Sequence, residues 1–160
     1  MKRNTLSMNQ KHTIPSLIVH GGAWDIPDDL LNAHRRGVRN AIQEGWKVLK
    51  KGGTAVEAVE ETIIVLENDP TFDAGKGSFL NALGEIELDA SIMNGKTFRA
   101  GAVAAVKNIR NPISLARAVM NESEHILLVG LGANRFAKEN GIPECKMEEL
   151  LIGREDRKST

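Results

Sequence analysis

The residue pattern predicts an α+β domain, on three observations. Residues 28–51 and 54–66 form two tandem segments whose apolar positions recur with a helical period. Residues 85–93 alternate Ile86, Leu88, Ala90 and Ile92 with Glu87, Asp89 and Ser91, and Asn94-Gly95 then turns the chain into a small-residue run ending at Val106. A third helical pattern opens at Asn111-Pro112 and is followed by an apolar strand over residues 125–130.

Bulk properties bound the function. A chain of 160 residues that is 41% hydrophobic can build one domain around a real core. Twenty-one basic residues offset twenty-one acidic ones, so no net field draws the chain to nucleic acid or to an anionic membrane, and small molecules or protein are the expected partners. The single cysteine, Cys145, forms no internal disulfide and fits the cytoplasm. Residues 1–15 form a polar leader without the apolar stretch of a signal peptide, and no later run reaches the roughly 18 apolar residues that span a bilayer.

Taken in order, residues 16–20 read as a short buried strand that runs into Gly21-Gly22, where the backbone can turn without a Cβ in the way. His20 at that turn suits either a structural hydrogen bond or a place beside a reacting group. The segment 28–51 is an amphipathic helix through Leu31, His34, Val38, Ala41 and Trp46, and its basic residues Arg35, Arg36, Arg39, Lys47, Lys50 and Lys51 read as a solvated face. Gly52-Gly53 stops it, and Thr54-Ala55-Val56-Glu57 is a capping box that starts the second helix.

Between that helix and the strand lies a loop, residues 69–79, with Gly75 and Gly77. It reads either as a bare connection or as a clamp that turns carbonyls inward toward a cation or substrate. Gly75-Lys76-Gly77-Ser78 lacks the spacer of a phosphate-binding P-loop. The acidic face of the strand after it is either wet or aimed at a site. Asn111 is the expected cap of the third helix, which Pro112 opens. Gly130-Leu131-Gly132 after the last strand imitates a dinucleotide fingerprint, but Arg135 holds the third glycine's place. Residues 144–160 are charged and are expected to form a mobile linker, as though more polypeptide should follow.

Four stretches in register carry a resemblance: His20-Gly21-Gly22-Ala23, Phe72-Asp73-Ala74-Gly75-Lys76-Gly77-Ser78, Glu87-Leu88-Asp89-Ala90-Ser91-Ile92-Met93-Asn94-Gly95 and Ala100-Gly101-Ala102-Val103-Ala104. Together they resemble the plant-type L-asparaginase/isoaspartyl peptidase family, over residues 17–143. The resemblance implies an N-terminal nucleophile hydrolase, made as one precursor that cleaves itself before a threonine. This chain then resembles the α subunit, with residues 16–143 as its folded part and 144–160 leading to the cleavage site. The fold implied is an αββα four-layer sandwich completed by strands of a separate β subunit, in a dimer of αβ units.

By the same resemblance the nucleophile is a Thr of the β subunit in a Gly-Thr-Val-Gly context that these 160 residues do not contain. The implied reaction hydrolyses L-asparagine, β-aspartyl dipeptides or both, and releases L-aspartate. The backbone carbonyls of Leu66, Glu67, Asp69, Phe72, Ala74 and Lys76 are implied ligands of a structural sodium ion, with potassium as the alternative. His20, Gly21 and Gly22 are implied to assist self-processing, and Asp73 to face a substrate-binding arginine of the β subunit. Three positions depart from the family pattern: Asp73 stands where Asn is usual, Trp24 where a Gly often ends the His-Gly-Gly motif, and Asn94 where Asp is usual. Glycosylasparaginase of the same family is the neighbouring alternative. A non-catalytic binding module is the reading outside it, while an α/β-hydrolase lacks its Gly-x-Ser-x-Gly here.

Overall fold

The computed structural model describes residues 14–153. Helix α1 spans Asp28–Lys50 and α2 spans Ala55–Asn68. Asp28 and Asp29 lie in the first turn of α1 and Lys47 and Lys50 in its last, both favourable to the helix dipole. The capping box that opens α2 is formed: Thr54 Oγ1 accepts the Glu57 N–H at 3.2 Å, and Glu57 Oε2 accepts the Thr54 N–H at 2.7 Å. The two helices pack side by side, and Gly45 lets them approach, since a Cβ there would lie 2.8 Å from the carbonyl oxygen of Ala58. The basic residues of α1 named above are exposed or, for Lys50 and Lys51, at its exposed end.

Strands β1 (Leu88–Met93) and β2 (Ala100–Val106) form an antiparallel hairpin, and β3 (Leu127–Val129) adds parallel to β2, giving the order β1-β2-β3. Asn94 closes the hairpin turn, accepting from the Lys96 N–H at 2.9 Å and, through its carbonyl, from the Phe98 N–H at 2.8 Å. Phe98 sits in this turn at φ 59°, and pairing starts only at Ala100. Asp89 faces a register shift in the ladder and accepts the N–H of Ala105, which is held at φ 51°.

Helix α3 (Pro112–Glu122) covers one face of the sheet. Its backbone approaches so closely that a Cβ on Gly101 would lie 2.1 Å from the Ala116 carbonyl oxygen. Helix α4 (Gly130–Glu139) contributes Ala133 and Ala137 to the same core, which also holds Ile92, Val103, Val106 and Leu115. On the opposite face Met93, Leu127 and Val129 remain about half exposed, at 56%, 52% and 54%.

Three expectations need correction. Residues 16–20 do not form a strand, and Ile18 is 93% exposed, because none of the described strands lies beside the segment to complete a ladder. Asn111 makes no side-chain cap on α3; its amide is engaged by Glu67 instead. Residues 144–151 were expected in a mobile linker, yet they pack: Glu144 bridges Ile109, Cys145 N–H donates to the Asn108 carbonyl at 2.8 Å, and Leu150 is buried in the core. Apolar Met147, Leu150 and Leu151 among the charges outweigh the composition of the segment. Most of the leader (residues 1–13) and the end of the linker (residues 154–160) lie outside the described residues.

Candidate active site

The loop after α2 is folded back on its own start. Glu67, 2% exposed, accepts the Lys76 N–H on its carbonyl oxygen at 2.7 Å, closing the segment between them. Gly75 fits inside this closure because a Cβ would lie 2.6 Å from the Glu67 carbonyl oxygen and 3.2 Å from that of Arg110. Gly77, at φ 87°, donates its N–H to the Leu150 carbonyl at 2.7 Å. The Glu67 side chain ties the loop to α3: Oε1 accepts the Ile113 N–H at 2.9 Å and Oε2 accepts from Asn111 Nδ2 at 3.0 Å. Burial pushes this carboxyl up to about 8, against the pull of those two hydrogen bonds.

Phe72 fixes the middle of the loop against α1. Its ring is buried in a cradle of two glycines: a Cβ on Gly37 would lie 2.4 Å from Phe72 Cε2, and one on Gly21 would lie 3.0 Å from Cε1. His34 meets the ring edge-on at 5.5 Å between centroids, and Trp24 lies 5.7 Å from His34. His34 Nδ1 is 3.0 Å from the Leu30 carbonyl oxygen, so that nitrogen carries the proton. Its Nε2 is buried without a hydrogen-bond partner among the described residues.

These contacts bring two distant motifs into one cleft of about 270 Å³, lined by His20, Gly21, Gly22, Trp24, Phe72 and Asp73 among others. Gly22, at φ 99°, donates its N–H to His20 Nδ1 at 3.2 Å, so the motif forms its own turn. Asp73 is exposed, and its Oδ1 accepts the Phe79 N–H at 3.0 Å. A larger groove of about 470 Å³ shares Gly21, Gly22 and His34 but is otherwise lined by Ile26 and by α1 residues such as Arg35, Val38 and Arg39, with no carboxylate. The smaller cleft is therefore the better candidate for chemistry.

The carbonyls of Leu66 and Glu67, at the end of α2, and of Asp69, Phe72, Ala74 and Lys76, on the loop, are the implied set. Three of them accept internal hydrogen bonds: Leu66 from Asp69 N–H at 3.3 Å, Glu67 from Lys76 N–H and Asp69 from Phe72 N–H at 3.1 Å. A carbonyl oxygen has a second lone pair, so those bonds leave capacity for a cation. Among the described residues no three His, Cys, Asp or Glu side chains gather to hold a metal. An all-oxygen backbone set is the donor chemistry that a hard cation takes.

Sequence reasoning took His34 as one more position on a helix face and did not single out the Glu67 side chain. The signal available was Gly37 on the core side of α1, a small residue where a large partner must enter.

The class these features define is borne out by comparison: the family model described as asparaginase matches residues 13–158, and the chain belongs to that family. It is 51% identical over 140 residues to the isoaspartyl peptidase/L-asparaginase of Xenopus laevis, covering 88% of this chain and 45% of that protein. The Mus musculus protein of the same name is 51% identical over 139 residues, 86% of this chain and 43% of its own length. The plant-type L-asparaginase of Pyrococcus abyssi is 52% identical over 130 residues, 81% and 42% respectively. The chain thus spans less than half the length of these relatives. Among the described residues no helix is long and apolar enough to cross a membrane.

Proposed function

We propose that this chain is the α subunit of a cytoplasmic, self-processing amidohydrolase that releases L-aspartate from L-asparagine, β-aspartyl dipeptides or both. The observation that carries the reading is the convergence of His20-Gly21-Gly22 and Asp73 on one cleft, in a chain of the asparaginase family. The nucleophile is a Thr at the N-terminus of a β subunit cut from the same precursor. Its hydroxyl attacks the side-chain carbonyl of the aspartyl group while its own α-amino group takes the proton. Hydrogen-bond donors stabilise the tetrahedral oxyanion, the amine or ammonia leaves, and water then releases aspartate.

The α chain contributes position. Asp73 faces the substrate-binding arginine of the β subunit, and the turn at residues 20–22 lies beside the cleavage site. The six carbonyls hold a sodium or potassium ion, which stiffens the loop next to the nucleophile. Strands of the β subunit complete an αββα four-layer sandwich, in a dimer of αβ units. The half-exposed apolar sheet face and the unpaired segment 16–20 support this, since the first lacks cover and the second a strand partner among the described residues.

The test is hydrolysis of L-asparagine and of β-aspartyl dipeptides by the purified full-length gene product, read as released aspartate. Turnover of either substrate supports the reading, and turnover of neither by fully processed protein contradicts it.

A further inference from the structure

Trp24 is a large aromatic at the turn that leads from Gly21-Gly22 toward α1, and it is 41% exposed. It lines the same cleft as His20, Gly22 and Asp73. Its ring is not loose on the surface: it lies 5.7 Å from the buried His34, tilted by 56°, and His34 in turn meets Phe72 at 5.5 Å. Phe72 is held by Gly21 and Gly37. The chain of rings therefore seats the indole from behind and leaves part of its surface open at the cleft. Ile63, Leu66 and Phe72 extend the apolar lining, while Asp73 supplies a carboxylate.

We infer that Trp24 is a specificity-determining residue that binds the leaving side of the substrate and favours β-aspartyl dipeptides whose leaving residue is aromatic. The inference rests on the hydrolase reading above and goes beyond it. An aspartyl group alone has no apolar surface to place on an indole, whereas an aromatic leaving residue can stack on it. Aromatic pairs contribute an advantage that corresponds to about 2- to 10-fold in affinity. Because His34 and Phe72 hold the indole in place, little ordering is required when the ligand arrives.

The test compares kcat/KM for β-aspartyl-phenylalanine, β-aspartyl-alanine and L-asparagine in the processed holoenzyme and in Trp24→Gly and Trp24→Phe. The ratio of the phenylalanine to the alanine dipeptide is the readout, because a merely structural role of Trp24 would lower both rates alike. We expect a ratio of about 2 to 10 in the native enzyme, carried by KM. Trp24→Gly should bring it near 1, and Trp24→Phe should restore most of it. A native ratio near 1, or a ratio that survives Trp24→Gly, overturns the inference while asparagine hydrolysis still supports the hydrolase reading. No turnover of any of the three substrates overturns both.

Discussion

The carboxyl group of Glu67 serves as the cap that helix α3 lacks, accepting the Ile113 N–H at 2.9 Å from a position 46 residues earlier in the chain. One buried side chain thus ties the end of α2 and the start of the active-site loop to the helix that covers the sheet. Glu67→Ala leaves the Ile113 N–H and the Asn111 amide without this partner, and should destabilise the protein by about 3 kcal/mol. Glu67→Gln keeps an acceptor for Ile113 and should cost less than half as much. Urea unfolding of the two variants checks the order; equal losses would mean that an acceptor oxygen at this position is not what stabilises α3.

Gly75→Ala should strain the loop, since the new methyl group meets the Glu67 and Arg110 carbonyl oxygens at 2.6 and 3.2 Å. Overpacking of this kind costs about 1–3 kcal/mol. If the loop holds sodium, native protein melts higher in sodium chloride than in choline chloride of equal ionic strength. Gly75→Ala should shrink that difference. A sodium effect unchanged in the variant would place the cation elsewhere.

Acid should weaken the start of α2. The backbone N–H of Thr54 and then its hydroxyl hold the Glu57 carboxyl below its ordinary value of 4.5. Its folded value lies under its unfolded one, so its contribution is present above about 4.5 and is lost as pH falls through the folded value. Glu57→Gln should therefore be less stable than native at pH 7, and the difference should shrink as pH falls below 4.5. A difference that does not shrink in acid would assign the effect to shape instead of charge.

Asp73→Asn should leave folding unchanged, because an amide oxygen can accept the Phe79 N–H that Oδ1 now accepts. Removing the charge from the cleft should alter KM and the pH-rate profile of the processed enzyme. An identical profile would remove Asp73 from the substrate site.

Much of the fold was legible wherever period and punctuation agreed. The capping box at Thr54, the Asn94-Gly95 turn and Pro112 at the start of α3 all formed where local chemistry placed them. Residues 16–20 carry strand propensity, but a strand needs a neighbour, and propensity cannot show whether one is present. Asn111 looked like a cap because helix starts favour it, yet a buried carboxyl from another element took that role. Leu150 was hidden among charges, and only its burial beside Gly77 reveals that the segment packs. The motif residues of the cleft were legible through resemblance; the ring contacts of Trp24, His34 and Phe72 were not, since they join positions that no local pattern relates.

The most direct test of the central claim is intact mass together with N-terminal sequencing of the purified, catalytically active protein. The account predicts two polypeptides in equal amounts, one containing residues 14–153 and a second that begins with Thr. Active material composed of a single uncut polypeptide, with no chain beginning at Thr, would contradict it.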